Sequence, residues 1–589
     1  MVVFQLNSSD KKKPVISGVL LAAALGVNVF LFTPALIYFA NGNEFVTPIA
    51  QLFGGWAIPA IATLLLVMVI GLALPTRWYR PYLVMVANLN LLVWLQGNVL
   101  VWDYGLLDGR LIDWSVNAWR GWVDGLVWVV VIAVGFVFSR TLCRPVSQAV
   151  GVLFFIQLLL VGWAGFKHSQ KPVLAVKLSQ EKALKSLAGF SEGRDVIHIV
   201  LDAFQSDFFD ELVHHPQIGL AYRDSLSGFT FYRETLGVFP FTRFAVPAFL
   251  SGKIYTNERP KDEFIQGSIS ENSILSVAAA AGMELDLASV EYWAPLYASA
   301  GYANSYVIPE NGHGSDSEFR AANMAKLVDL ALFRVAPHFL KRKIYDGQRW
   351  LITPLVMDVD YLQFHYFAHT QFINQLIDKM GVNRKAPTYK YFHVMNTHDP
   401  MVVNLDCSYA GRVLPLNRTT LLMQSKCTLD TVVQLLSKLK RLGVYDRSLI
   451  ILHADHGGWV PRRDYQPEKV NLHHEVPAWA ISLSSPLLAI KPPGVGGELV
   501  ASNKLASLGD IADTVADIMD WPQQFGGTSL LKVGEDEPRT RYFYHHYWRE
   551  DSWEIDYAGP IQEFEIRGKH YESAWIPHRV FKHKDYGFW

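Results

Sequence analysis

The sequence has almost no net charge, few cysteines, and neither an internal repeat nor a low-complexity tract. Its 53 Lys and Arg residues are balanced by 54 Asp and Glu, leaving −1 at pH 7. With no basic footprint, nucleic acid is excluded as a partner. Of the three cysteines, Cys143 falls between two hydrophobic segments, while Cys407 and Cys427 stand in a more polar region. A disulfide between those two would require an oxidising compartment; two unpaired buried thiols is the alternative. The most informative scarcity is local. Asp, Glu, Lys and Arg make up 18% of the chain, yet long stretches before Lys167 lack them. At 589 residues the chain exceeds what one core of about 250–300 residues holds. A membrane part, 1–167, followed by a soluble part is therefore predicted.

A bilayer core needs about 20 apolar residues per helix. Five stretches meet or approach this: Pro14–Ala40, Val46–Leu74, Tyr82–Val101, Trp122–Ser139 and Pro145–Phe166. The fourth is the shortest and carries Asp124 in its first turn. The first is too long for a cleaved signal peptide, and more spans follow it. Lys11, Lys12 and Lys13 precede span one, Arg77 and Arg80 join spans two and three, and Arg140 and Arg144 join spans four and five. Positive loops stay in the cytoplasm, so Asn41–Glu44 and Asp103–Trp122 face out, as does everything after Phe166. The tryptophans of the second outer loop suit the headgroup level. Residues 168–194 read as an amphipathic linker helix lying on the membrane surface, with Val173, Val176, Leu178, Ala183, Leu184 and Leu187 on one side.

From 195 to 589, β-rich runs alternate with helical patterns, which predicts an α/β domain with a mostly parallel sheet. Expected strands are Val196–Leu201, Tyr391–Met395, Ser448–His453 and Val476–Ile481; expected helices include Phe244–Leu250, Ser273–Ala281, Tyr361–Lys379, Thr428–Leu442 and Ser507–Met519. Ligands in such folds gather at the carboxyl ends of strands. Three of these strands run into groups that bind metals or phosphates: Asp202, then Asn396-Thr397-His398-Asp399-Pro400, then Asp455-His456-Gly457-Gly458. Each alone also fits a helix cap, a satisfied polar residue or a turn; the convergence carries the signal. A fourth element, Thr242-Arg243-Phe244-Ala245-Val246-Pro247-Ala248-Phe249-Leu250-Ser251-Gly252, sets a threonine at the start of a short helix. Backbone N–H groups there favour an anion, and a hydroxyl held by a metal ionises more readily, becoming a nucleophile.

Residues Ile199–Asp202, Thr242–Gly252, Thr397–Pro400 and Ala454–Gly458 resemble the ordered motifs of the alkaline phosphatase superfamily. The resemblance is to its membrane-anchored branch, the lipoteichoic acid synthases and the phosphoethanolamine and phosphoglycerol transferases. The spacing of Thr242, Pro247 and Gly252, and the order of membrane bundle then catalytic domain, match that branch. The resemblance implies Asp202, Thr242, Asp455 and His456 as ligands of one divalent metal, with Thr242 also the nucleophile. It implies that His398 holds the substrate phosphate, and that His473 or His474 contacts phosphate or a second metal. Two carboxylates, an alkoxide and an imidazole suit zinc or manganese better than calcium, with magnesium a third candidate.

The implied activity is transfer of a phospho-head-group from a membrane phospholipid donor to a periplasmic glycan or lipid acceptor, at a bacterial inner membrane. A membrane phosphodiesterase and an inactive lipid-binding regulator are the alternatives. Three departures matter. Thr242-Arg243-Phe244-Ala245-Val246 lacks the Cys or Ser that sulfatases convert to formylglycine. Asn396-Thr397-His398 replaces the Asp and His pair of two-zinc relatives. Ala245 stands where Ser or Thr is frequent. Arg243 and His313, the latter in the glycine-rich loop Asn311–Asp316, are further candidates for substrate contact. The tail around Arg541, His545, His546, Trp548 and Arg549 suits either an acceptor cleft or a packed final strand. The oligomeric state is not specified by the sequence.

Overall fold

The computed structural model describes the chain except residues 1–13, 42–48, 105–106, 108–111, 116, 171–179, 291, 303, 309–315, 347–348, 357–363, 471, 473–476, 548–554 and 584–589. It divides into two compact units: Met1–Ala175 with His313–Asp360, and Val176–Gly312 with Tyr361–Trp589. The soluble stretch is thus not one contiguous unit as expected, because residues 313–360 group with the N-terminal helices.

Among the described residues, four N-terminal helices are long and apolar enough to cross a membrane: Val15–Ala40, Ile49–Ala73, Ala118–Val137 and Thr141–Lys167. The span expected at Tyr82–Val101 is helix Thr76–Asn98, which differs for a physical reason. It is the packed inner helix of this unit, burying Leu83, Val84, Ala87 and Leu92 together with Asn88, Asn90 and Gln96. The amide of Asn90 donates to the carbonyls of Leu21 (3.1 Å) and Val86 (2.9 Å). Polar groups of this kind join helices where no water is present, and they lower the helix's apolarity. Cys143 lies inside helix Ser139–Gln170 rather than in a loop; only a break at Phe138 separates that helix from its predecessor.

In the second unit, an eight-stranded sheet comprises β1 (Val196–Leu201), β2 (Thr230–Tyr232), β3 (Glu284–Ser289), β4 (Asn304–Val307), β5 (Thr388–Val394), β6 (Leu449–His453), β7 (Leu488–Lys491) and β8 (Val500–Ser502), in the order β8-β2-β7-β6-β1-β5-β3-β4. Only β7 runs antiparallel to its neighbours; the other pairings are parallel. Both faces are covered, so the central strands β1, β5 and β6 are buried along their whole length. Alternation instead decides which face each side chain joins. Val196 and Val200 of β1, Leu449 and Ile451 of β6, and Tyr389 and Tyr391 of β5 enter one core, which includes helices Thr242–Ser251 and Ile511–Ile518. Ile197, Ile199, Leu201, Ile450, Leu452, Phe392 and Val394 enter the other, beneath helices His365–Lys379 and Arg418–Arg441.

Two expectations are corrected. Val476–Ile481 does not form a strand: helix Trp479–Leu483 occupies its described end. Pro477, which has no N–H for a ladder, begins that turn by accepting from Ala480 N. The strand follows instead at β7. Within the expected linker, helix Gln180–Leu187 does not leave its apolar stripe for a membrane surface. Ala183, Leu184 and Leu187 are buried in the second core.

Candidate metal centre and nucleophile

Strands β6, β1 and β5 are adjacent and parallel, and Val200 pairs with both His453 and His393. Their carboxyl ends therefore reach one edge together, the place where open α/β sheets bind ligands. Asp202 leaves β1 in a turn held by Asp202 N donating to Val394 O (2.9 Å) and by the Thr397 hydroxyl donating to Asp202 O. Ala203 has φ 60, a left-handed conformation costly for a residue with a Cβ and concentrated at functional sites. Its N–H donates to Asp455 Oδ1 at 3.2 Å, so the strained turn fixes both carboxylates.

Thr242 opens helix Thr242–Ser251 after an extended Phe241. Its Oγ1 lies 3.4 Å from Asp202 Oδ2 and 3.4 Å from His456 Nε2. His456 Nε2 is 3.7 Å from Asp202 Oδ1 and 3.6 Å from Asp455 Oδ2. The other nitrogen of His456 donates to Gly457 O at 2.8 Å. That bond fixes the tautomer and leaves the Nε2 lone pair facing the carboxylates and the hydroxyl.

This donor set fits a divalent cation. Asp202 Oδ1 and Asp455 Oδ2 are buried and have no hydrogen-bond partner, an arrangement that costs several kcal/mol per charge unless a counter-charge sits between them, on the order of the ion desolvation penalty. Asp202, His393 and Asp455 each offer a ligand atom, all within 4.8 Å of one another. Burial pushes the Asp202 carboxyl up, but the hydrogen bond from His393 and the charges of His398, His456 and His393 outweigh it, holding the group below the ordinary carboxylate range.

His393 is the member that sequence reasoning missed. Its Nε2 stands 3.3 Å from Asp202 Oδ2. The signal was the alternation Tyr389, Tyr391, His393 in β5, which carries the histidine to the face occupied by Asp202 and Asp455; reading it required knowing that β5 borders β1. Behind the centre, the Tyr389 hydroxyl donates to His198 Nδ1 (2.8 Å), His198 Nε2 meets His453 Nε2 (2.6 Å), and His453 Nδ1 donates to Ala454 O (2.8 Å). Burial lowers the pKa of both imidazoles, so this chain of neutral rings is held in one tautomeric order.

His398 lies near the same carboxylates. Burial disfavours its charged form, but Asp399, Asp202 and Asp455 outweigh that and push its pKa up to about 9; its Nδ1 donates to Asp399 O at 2.7 Å. Arg243 goes elsewhere: it is buried with its guanidinium over the Tyr292 ring, 5.3 Å from the centroid, because the second position of the helix points away from the edge where Thr242 stands. His313, His473, His474, Trp548 and Arg549 lie outside the described residues. Arg541 belongs to strand Thr540–His545 and donates to the carbonyls of Glu234, Ala506 and Gly568, which is a packing role.

Two flanking features support the site. Gly457 N donates to Leu483 O at 2.8 Å, and a Cβ on Gly457 would stand 1.9 Å from Ser482 O. Backbone would have to move, so Gly457→Ala is expected to cost about 1–3 kcal/mol by overpacking and to displace His456; thermal melting and metal loading measure the two effects. Cys407 and Cys427 form a disulfide that ties the turn after Val403 to helix Arg418–Arg441. Opening its 20-residue separation by Cys427→Ser should lower stability by about 3 kcal/mol on loop-entropy grounds, read by denaturant unfolding.

A family model described as Sulfatase matches residues 194–521. No curated protein sequence matches the chain. Similar solved structures include the lipoteichoic acid synthase LtaP from Listeria monocytogenes, 11% identical, covering 68% of this chain and 92% of that one with a TM-score of 0.37. A phosphonate monoester hydrolase, SpPMH, from Silicibacter pomeroyi is 14% identical over 67% and 90%, with a TM-score of 0.36. A protein in the alkaline phosphatase superfamily from Vibrio parahaemolyticus is 11% identical over 68% and 87%, also at 0.36.

Proposed function

The chain belongs to the sulfatase family, and from that premise we propose that it is a metal-dependent phosphotransferase working through Thr242 rather than a sulfatase. The observation that carries this reading is the Thr242 hydroxyl, 3.4 Å from both Asp202 and His456 at a helix start. A threonine cannot supply the formylglycine that sulfate ester cleavage uses in this family.

In the proposed reaction Asp202, Thr242, Asp455 and His456 would hold the cation, with His393 beside them. A bound zinc or manganese ion would favour the ionised threonine and neutralise charge on phosphate oxygens. Thr242 Oγ, its proton released beforehand, attacks the phosphorus of a membrane phospholipid. The bond from phosphorus to the diacylglycerol oxygen breaks, that oxygen takes up a proton, and the head-group phosphate is left on Thr242. The hydroxyl of a periplasmic glycan or lipid then attacks the same phosphorus, loses its proton and releases the threonine oxygen. His398, whose charged form the neighbouring Asp399 favours, suits binding the phosphate oxygens rather than removing a proton. The apolar helices favour a lipid donor, with the catalytic unit outside the cytoplasmic membrane.

The direct test is mass spectrometry of the Thr242 peptide after incubation with membrane lipids. An added phospho-head-group supports transfer and identifies the group. Free phosphorylated head group without acceptor modification would make water the acceptor and the protein a phosphodiesterase. No adduct and no turnover would leave the lipid-binding regulator.

A further inference from the structure

In sequence, residues 316–356 interrupt the stretch that builds the sheet, yet they belong to the compact unit of the N-terminal helices. Helix Asp316–Val335 packs Leu327, Val328 and Ala331 with Leu52 and Trp56. The Trp56 indole donates to Met324 O at 3.3 Å. Farther along, Arg334 Nε donates to Gly97 O at 2.8 Å, and the N–H of His338 donates to Asp124 Oδ2 at 2.8 Å. Asp124, which has no exposed surface, also accepts from Gln96 Nε2 (3.0 Å) and Trp102 Nε1 (2.8 Å). A carboxylate within an apolar helix is expensive and is expected to have a specific partner; here it pins this insertion. Trp56, Gly97 and Asp124 all lie near the helix ends that flank the two loops placed outside by the charge pattern.

The insertion turns back on itself through Asp329, which accepts from Ile352 N, Thr353 N and the Thr353 hydroxyl, each at 2.8 Å. What it leaves uncovered is apolar. Phe339 is 60% exposed and Leu355 80%, and Leu340, Leu351 and Val356 are exposed as well. Arg342 and Lys343, on the same short helix as Phe339 and Leu340, are also exposed. Five large apolar side chains within eighteen residues exceed the scattered exposure of a soluble surface. Apolar groups beside basic ones are the signature of a segment lying in a lipid headgroup region.

We propose that residues 338–346 and 349–356 form a membrane-docking element, held on the helix bundle by Asp124 and laying Phe339, Leu340, Leu351, Leu355 and Val356 into the outer-leaflet interface of an anionic bilayer. The inference rests on the bundle spanning the membrane and is independent of the reaction catalysed at Thr242.

The test uses the full chain in vesicles of phosphatidylethanolamine and phosphatidylglycerol. In a Cys143→Ser background with the disulfide intact, a bimane fluorophore is attached to single cysteines at Phe339, Leu351 or Leu355, and quenching by lipids spin-labelled near the headgroup is measured. Leu126, exposed on an apolar helix, and Leu531, exposed in the catalytic unit, are the controls. Quenching at all three positions should equal that at Leu126 and exceed that at Leu531 several-fold. Quenching no greater than at Leu531, with Leu126 still quenched, overturns the docking element but leaves the spanning bundle. If Leu126 also escapes quenching, the premise fails and the proposal falls with it. Unchanged melting of each labelled protein excludes misfolding as the cause.

Discussion

Thr242→Ala is expected to abolish both turnover and covalent labelling, with a rate loss on the order of 10⁴-fold or more, as for other nucleophiles acting within a catalytic unit. The hydroxyl lies 3.4 Å from both Asp202 and His456 and can form a bond to phosphorus. Removing it leaves Asp202, Asp455 and His456, the other proposed ligands, and the helix start in place, so a cation should bind more weakly while chemistry is lost. Thr242 is half-buried and makes no capping bond; stability should therefore change by no more than about 0.5–1 kcal/mol. Thr242→Ser should retain part of the rate, because it keeps the oxygen and loses only the methyl group. Steady-state kinetics on a phosphodiester, together with melting curves, measures both effects. Activity undiminished in the alanine variant would defeat the proposed mechanism.

The second large effect concerns Asp455, and its sign depends on the metal. Without a cation, two buried carboxylates share the site, and Asp455 Oδ2 has no partner. Asp455→Asn keeps an oxygen for the Ala203 N–H and removes one of two like charges. The metal-free variant should therefore be as stable as the metal-free parent or more so. With zinc or manganese at about 100 times the dissociation constant, the parent should gain about 2.7 kcal/mol by mass action. The variant should gain little, hold substoichiometric metal and lose turnover. Metal analysis after dialysis, and melting with and without chelator, reads this crossing of stabilities. Equal metal content in the two proteins would remove Asp455 from the ligand set.

Local pattern carried the sequence reading where neighbouring residues decide the outcome. Strand β1 occurs over Val196–Leu201 as expected, and β5 and β6 differ from the expected strands by a few residues at their ends, because apolar runs bounded by polar turns leave little alternative. Thr242 begins its helix, and helix Thr428–Leu442 exists but starts earlier, at Arg418. Its Asn417 cap, whose side chain accepts from Thr420 N, was a readable signal. The run Val476–Ile481 misled because Val and Ile favour strands while Pro477 removes a ladder donor, and the proline decided the conformation.

Local sequence sufficed for the apolar helices, for strands β1, β5 and β6, and for the donors Asp202, His398, Asp455 and His456 that follow them. These follow from composition and from periods of two and 3.6 residues, which act over a few neighbours. Only the tertiary structure decided that β6, β1 and β5 lie side by side, and so that His393 reaches Asp202 while Arg243 turns to Tyr292. It also decided that residues 313–360 join the N-terminal helices, with the N–H of His338 bonded to a carboxylate 214 positions away. Such pairings depend on strand order and on which faces remain uncovered once the cores are filled, and no short stretch of chain encodes either.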